Sequence, residues 1–140
     1  MTIGRPKPIV LDASAAVDLA LGRPWSALLR HEIMGADRLH VPVTWHIECV
    51  SAVRQLALGD HLDDPGARRA LNALSSLRLL RWATEPLSDR MWSLRHNMTA
   101  HDAVYVALAE QLDATLATGD RRLAKAARLA TSLKVLELTP

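Results

Sequence analysis

Short runs of β-forming apolar residues alternate along the chain with longer stretches in which apolar residues recur every three to four positions. Ile9-Val10-Leu11 reads as a buried strand. Ala15 to Leu21 then predicts a helix with Ser14 as its N-cap, broken by Gly22-Arg23-Pro24. Trp25, Leu28, Leu29 and Ile33 keep helical spacing, which predicts a helix from Trp25 to Met34 ended by Gly35. Leu39 to Val43 is extended. Thr44 can cap a helix from Trp45 to about Leu58, stopped by Gly59. Asp64-Pro65 starts another helix, with Asp64 as cap and Pro65 in the first turn, running to about Leu77. Leu79 to Trp82 is a strand, and a short helix follows Pro86 from Ser88 to His96. Thr99 opens the most apolar helix, in which Ala103-Val104-Tyr105-Val106-Ala107-Leu108-Ala109 has no polar side; such a helix is central. Ala114 to Thr118 is a strand, Asp120 to about Leu129 a helix, and Lys134 to Leu138 the last strand.

Strands alternating with helices predict an α/β fold, a parallel sheet of about four to five strands with helices on both faces. The length of 140 residues fits one domain over 1–140, and no repeat, low-complexity run or long linker divides it.

Composition narrows the classes. Hydrophobic residues are 49% and charged residues 23%, which argues against wholesale disorder. No apolar stretch is long enough for a membrane-spanning helix. After the N-terminus Met1 to Pro8, only Ile9, Val10 and Leu11 precede Asp12, too short a run for a signal-peptide core. The single Cys49 excludes an intrachain disulfide and a cysteine-based zinc site, so a reducing, cytoplasmic setting is expected. The net charge of +2 does not by itself identify a nucleic-acid binder. The bases are 14 Arg and 3 Lys; arginine forks suit phosphate oxygens, but genomic base composition gives the same bias. Four Trp stand beside one Tyr and no Phe; buried core is their expected home, with an interface as the alternative.

Four carboxylates fall where an α/β protein binds ligands, beyond the carboxyl ends of its strands. Asp12 directly follows the first strand. Asp120 follows the Ala114–Thr118 strand by two residues. Asp102 immediately precedes the seven-residue apolar run. Glu48 lies in the first turn of the helix after the second strand, about 80° from the centre of the stripe Trp45, Cys49, Ala52 and Leu56 on a helical wheel. His46 in the same turn points away from that stripe and is expected to be exposed. Each acid also has a plain structural reading: Asp102 in a capping box with Thr99, Asp120 as an N-cap, Asp12 in a turn with Ala13 and Ser14, and Glu48 as a favourable first-turn charge.

Taken together the four weigh differently. Two unit charges about 4 Å apart cost roughly 4 kcal/mol at an effective dielectric near 20. Several such pairs would consume much of the roughly 5–15 kcal/mol that holds a domain folded. Protonation would relieve the repulsion, and a divalent cation would relieve it better; oxygen-only ligands suit Mg2+ or Mn2+. Such a site can activate water and stabilise charge on a transferring phosphoryl group.

The run Ile9-Val10-Leu11-Asp12-Ala13-Ser14-Ala15, Glu48 on an early helix, the run from Thr99-Ala100-His101-Asp102 to Ala109-Glu110, and Leu116-Ala117-Thr118-Gly119-Asp120-Arg121-Arg122-Leu123 resemble a PIN domain, and more narrowly the VapC toxins of bacterial toxin–antitoxin pairs. The resemblance covers nearly the whole chain. It implies a metal-dependent endoribonuclease on a small α/β sandwich. Asp12 and Asp102 match the acids that most directly hold the metal, and Glu48 and Asp120 the other two of the quartet. Thr118 and Ser14 match polar residues that support them. His101 stands where Tyr is common, and Gly119 where a larger residue often sits; neither removes a carboxylate.

The reaction so implied is hydrolysis of an RNA phosphodiester by water, leaving a 5′-phosphate and a 3′-hydroxyl. Arg95, Arg121 and Arg122 neighbour the acidic segments and are candidates to guide the polyanion, with His96 and Asn97 as further candidate RNA contacts. Single-stranded loops are the expected target because their bases are accessible, and family substrates are structured RNAs such as tRNA or rRNA. The resemblance also implies a homodimer and a VapB-type antitoxin. Among the alternatives, a phosphoacceptor domain carries a doubled acid after its first strand, whereas here Ala13 follows Asp12. A PIN-like binding module without catalysis is opposed by the presence of all four acids. A nuclease acting on structured DNA is the remaining reading.

Overall fold

Five short strands form one parallel sheet in the order β3-β2-β1-β4-β5: β1 Ile9–Leu11, β2 Leu39–Pro42, β3 Leu79–Trp82, β4 Thr115–Thr118 and β5 Val135–Glu137. The computed structural model describes residues 7–36 and 38–140. Residues 1–6 of the N-terminal stretch weighed above as a signal sequence, and residue 37, lie outside the described residues. Seven α-helices are found among the described residues: α1 Ala13–Ala20, α2 Ala27–Gly35, α3 Trp45–Leu58, α4 Asp64–Ser75, α5 Ser88–Ser93, α6 Ala100–Leu112 and α7 Arg121–Ala130.

The expected α/β class, parallel sheet and strand count are observed. β1, β2 and β4 are buried along their whole length; β1 is an unbroken apolar run, while β2 buries His40 and β4 buries Thr115 and Thr118. β3 and β5 close the two edges and are only partly covered. The chain steps outward from β1 through β2 to β3, then crosses back to β4 beside β1 and on to β5. With right-handed crossovers, α1 to α4 cover one face and α5 to α7 the other. In α6, Ala103 to Ala109 are all buried: the helix packs across β1, β2 and β4, with α5 and the Glu85–Leu87 turn also against it. No helix among the described residues is long and apolar enough to cross a membrane.

Several boundaries differ from the expected ones, for local reasons. α1 begins at Ala13 with Asp12 as its N-cap, because the strand runs straight into the helix and the Asp12 carbonyl accepts from the Ala16 amide (3.1 Å). Ser14 is therefore inside the helix and does not cap it. Trp25 lies in a 3-10 turn over Pro24–Ser26, and α2 follows only at Ala27. Asp63, not Asp64, caps α4 by accepting from the Gly66 amide (2.7 Å). α4 ends at Ser75, two residues early. α5 stops at Ser93, and tight turns over Leu94 to Asn97 (Asn97 amide to Leu94 carbonyl, 2.9 Å) hold Arg95, His96 and Asn97 exposed ahead of α6. Trp45 is buried as expected. Trp92 is not: it is 68% exposed.

Candidate active site

The strand order reverses between β1 and β4, the place where open α/β sheets bind ligands. Asp12 leaves β1 at this point, and Asp120 leaves β4 two residues after Thr118. Glu48 from α3 and Asp102 from the first turn of α6 meet them there. Their proximity is visible in their electrostatics: Asp12 feels the charge of Asp120, Glu48 feels Asp12, and Asp102 feels both Asp120 and Asp12. The four expected acids are thus gathered on one edge, not scattered.

Asp12 is the most enclosed. Its Oδ2 accepts the hydroxyls of Ser14 and Thr118, both at 2.6 Å. Behind each hydroxyl stands a backbone donor from the β4–α7 connection: Gly119 N–H donates to Ser14 Oγ (3.0 Å) and Asp120 N–H to Thr118 Oγ1 (3.0 Å). With their lone pairs so engaged, the hydroxyls turn their protons toward Asp12. Burial pushes the Asp12 carboxyl above its usual range and the Asp120 charge adds to this, while the two hydroxyls pull against it.

Gly119 is where this network needs a missing side chain. A Cβ there would lie 3.2 Å from Asp18 Oδ2, 3.4 Å from Ser14 Oγ and 3.4 Å from the Leu138 carbonyl. The departure noted at Gly119 therefore goes with a close approach of α1 to the β4–α7 connection. Asp18, which the sequence pattern did not single out, is held in that contact by Trp25 Nε1 (2.9 Å).

Glu48 is joined to the core of α6. Tyr105, buried in the apolar run, donates its hydroxyl to Glu48 Oε2 (2.9 Å). Glu48 Oε1 is buried with no hydrogen-bond partner among the described residues, and His101 Nδ1 stands 3.6 Å from it. Burial raises the Glu48 carboxyl above its ordinary range and Asp12 adds to the rise; Tyr105 and His101 oppose it. The Tyr105 hydroxyl is itself raised by burial and by Asp12 and Glu48. The neighbouring Cys49 thiol is pushed up to about 12, first by burial and then by the same two acids, which keeps it protonated and unreactive at neutral pH. Tyr105 was legible only as part of an apolar helix; its side-chain hydroxyl is the atom that meets Glu48.

Asp102 and Asp120 keep their structural duties beside this arrangement. Thr99 Oγ1 accepts from the Asp102 amide (3.3 Å), which is one half of the expected capping box. Burial raises the Asp102 carboxyl, Asp120 and Asp12 raise it further, and Arg122 counteracts them. Asp120 Oδ1 caps α7 through the amides of Arg122 (2.9 Å) and Leu123 (3.3 Å).

Among the described residues no three His, Cys, Asp or Glu side chains stand close enough to grip one ion together. Each carboxylate is drawn partly to its own donors: hydroxyls for Asp12, Tyr105 for Glu48, helix amides for Asp120. The donor set is nonetheless all oxygen, net anionic and partly desolvated, with a buried carboxylate oxygen lacking a partner at Glu48. That suits a hard divalent cation, and Mg2+ in particular takes one or two carboxylates and keeps water in its remaining positions.

Of the basic candidates, Arg122 lies close enough to Asp102 to act on its charge. Arg121 instead donates to the Pro140 carbonyl (3.3 Å). Arg95 lies over the Trp92 ring, 4.6 Å from its centroid, and donates to the Trp92 carbonyl (3.0 Å). His96 and Asn97 are exposed in the turn that follows, and His46 is exposed as expected.

Residues 9–129 match the PIN domain family model. The chain is 39% identical over 128 residues to Ribonuclease VapC1 of Mycobacterium tuberculosis, covering 91% of this chain and 96% of that protein. Its fold is similar to the crystal structure of PAE2754 from Pyrobaculum aerophilum (TM-score 0.67, 23% identity, 93% of this chain and 83% of that one). It is also similar to a chain of a toxin–antitoxin complex from Klebsiella pneumoniae (TM-score 0.56, 16% identity, 80% and 86%).

Proposed function

The chain belongs to the PIN-domain family, among its VapC-type members, and on that premise we propose that it is a metal-dependent endoribonuclease toxin that hydrolyses RNA phosphodiester bonds. The observation that carries this reading is the placement of Asp12 and Asp120 beyond the ends of β1 and β4 at the switch point, with the Asp12 charge acting on both Glu48 and Asp102. A fold gains nothing from four acids that repel one another on one edge unless a cation and its chemistry repay the cost.

Asp12 and Asp102 are the residues to hold Mg2+ or Mn2+, with Glu48 and Asp120 completing the set. When bound, such an ion supplies charge neutralisation for a phosphate and polarisation of water. The chain's own residues do the rest. Ser14 and Thr118 fix the Asp12 carboxyl by donating their hydroxyls to Oδ2, and the Ser14 backbone adds a further hydrogen bond to it. Glu48 takes the proton of the attacking water: its ionised form is disfavoured by burial, which makes it the stronger base, with Tyr105 on Oε2 and His101 Nδ1 3.6 Å from Oε1 as its neighbouring donors. Tyr105 holds Glu48 in place from Oε2. Arg122 partly offsets the acidic field that an incoming polyanion must cross.

The partner is a cognate VapB-type antitoxin and the assembly a homodimer, both implied by the resemblance, and a cytoplasmic setting follows from an RNA target. Structured RNA, a tRNA or rRNA loop, is the substrate class. Incubation of the purified chain with labelled RNA and DNA, with Mg2+ and with EDTA, tests the reading. RNA cleavage that needs the metal and is lost in Asp12→Asn supports it. Cleavage retained by Asp12→Asn, or confined to DNA, overturns it.

A further inference from the structure

The groove in front of α6 carries a feature the acid site does not use. A cavity of about 380 Å3 is lined by Met91, Trp92, Arg95, Met98, Thr99 and Ala100, together with Ser88. It shares Met91 and Ala100 with a smaller cavity of about 110 Å3 that reaches Thr44 and His101. The two make one path from Trp92 to His101, whose Nδ1 is 3.6 Å from Glu48 Oε1. Trp92 projects from α5 and is 68% exposed. The Arg95 guanidinium sits over its ring and is held there by the Trp92 carbonyl. Arg95 forms no ion pair among the described residues, and no carboxylate lines the larger cavity.

On the ribonuclease reading above, we propose that Trp92, backed by Arg95, is a stacking platform for an unpaired base of the RNA beside the cleaved phosphodiester. A large π face, a guanidinium against its opposite face with charge to spare for a phosphate, and a thioether-lined slot are what an unstacked base and its backbone require. The groove is cationic where the neighbouring site is anionic, so a polyanion gains its hold here and presents its adjacent phosphate to the acids. Trp and Arg are also enriched at protein interfaces; RNA is the occupant favoured here because the cavity beside Trp92 adjoins the one lined by His101, next to Glu48. The substrate class that follows is single-stranded or looped RNA, not a continuous duplex, whose bases already stack on each other.

The test uses the full chain carrying Asp12→Asn, so that substrate is not consumed. Its probes are single-stranded oligoribonucleotides of roughly 10 nucleotides with 2-aminopurine at each position in turn, and the same strands in duplex, all in Mg2+ buffer. Binding is expected to quench 2-aminopurine at one position of the single strand. Adding Trp92→Ala removes that quench and weakens binding roughly tenfold, the loss of one base–aromatic stack. Trp92→Phe recovers most of it. An abasic nucleotide at the quenched position weakens binding to the Trp92 protein and leaves the Trp92→Ala protein unaffected. Trp92 is exposed, so an unchanged thermal melt is expected and shows that the effect is local.

Affinity and quench unchanged by Trp92→Ala overturn the platform, as does a change of oligomeric state in gel filtration with RNA binding intact, which marks a protein interface. If the unsubstituted chain binds and quenches but cleaves no RNA, the platform stands and the nuclease reading falls. If it cleaves RNA while Trp92→Ala leaves KM and binding unaltered, the nuclease reading stands and the platform falls.

Discussion

Thr118 donates its hydroxyl to Asp12 Oδ2 at 2.6 Å, joining residues 106 positions apart at the point where the sheet changes direction. Thr118 is fully buried and its oxygen also accepts the Asp120 amide, so one side chain ties two of the four acids to each other.

Thr118→Val keeps the volume and removes both bonds. It leaves a buried carboxylate with one hydroxyl fewer and a backbone amide without an acceptor, at a cost of about 1–3 kcal/mol. Thr118→Ser keeps the bonds and loses a methyl group, at about 1 kcal/mol. Urea unfolding is expected to rank the two in that order of damage. Cleavage should fall far more in the valine variant than in the serine variant; equal losses would mean that the methyl group, not the hydroxyl, matters.

Asp12, Glu48 and Asp102 all have carboxyls raised above their ordinary range, each chiefly by burial and further by neighbouring acids. Between the unfolded and the raised folded values the folded chain holds more protons than the unfolded one, so stability is lost as pH rises through that window. Asp102→Asn removes one of these ionisations. In EDTA at neutral pH the variant is therefore expected to melt a few degrees higher than the parent, and the difference should vanish near the ordinary carboxyl pKa of about 4. Mg2+ or Mn2+ should raise the parent's melting temperature and move Asp102→Asn less. A parent more stable at neutral pH than Asp102→Asn in EDTA would contradict the burial cost.

The architecture was legible because its signals are local. The uninterrupted apolar run Ile9-Val10-Leu11 marks a strand buried on both faces, and the apolar stretch Ala103 to Ala109 of α6 marks a helix under cover on every side. The four acids were legible because strand ends and helix starts fix where a side chain emerges. The supporting bonds were not. Tyr105 meets Glu48 across 57 positions and Thr118 meets Asp12 across 106, contacts that only the sheet order creates. Ser14 shows the same limit on a small scale. Its spacing fits an N-cap, but the helix starts one residue earlier than Ser14 and the hydroxyl serves Asp12 instead. Trp92 departs from the buried home expected of Trp: α5 is six residues long and buries none of them.

Tyr105→Phe is nearly isosteric at a site that is 1% exposed, so the fold should survive. It deletes the hydrogen bond that favours ionised Glu48, leaving burial and Asp12 to raise that carboxyl further. If Glu48 accepts the proton of the attacking water, the acidic limb of the kcat/KM profile must move to higher pH. At neutral pH cleavage should fall by about tenfold, the expected share of a well-placed base being about 10²–10⁴. A uniform drop with an unmoved limb would assign Tyr105 to structure alone and Glu48 to metal binding alone.

Gly119→Ala asks how much slack the network has. A methyl group at 3.2 Å from Asp18 Oδ2 is tighter than ordinary contact, and Ser14 Oγ and the Leu138 carbonyl leave only 3.4 Å on the other sides. The strain falls first on Asp18 Oδ2, and any shift of the Gly119 backbone to relieve it disturbs the bond from the Gly119 amide to Ser14 Oγ. A modest stability loss of about 1 kcal/mol is expected, in the range of overpacking, with a larger proportional loss of cleavage. Cleavage unchanged in a destabilised variant would show that the Ser14 bond is not needed for the chemistry.

The product ends separate two ways of breaking an RNA chain. An acid site that activates water has no use for the ribose 2′-hydroxyl, whereas attack by that hydroxyl leaves a 2′,3′-cyclic phosphate. The site offers four carboxylates, three of them raised by burial and so partly desolvated, and the exposed His101 lies 3.6 Å from Glu48. Hydrolysis is therefore expected to leave a 5′-phosphate and a 3′-hydroxyl, read by ligation-dependent sequencing of the fragments. An RNA whose nucleotide 5′ to the cut carries 2′-deoxyribose should be cleaved at a rate within a few-fold of the all-ribose strand. Loss of cleavage on that single substitution, together with cyclic phosphate ends, would place the nucleophile on the substrate and remove the water-activating role from Glu48.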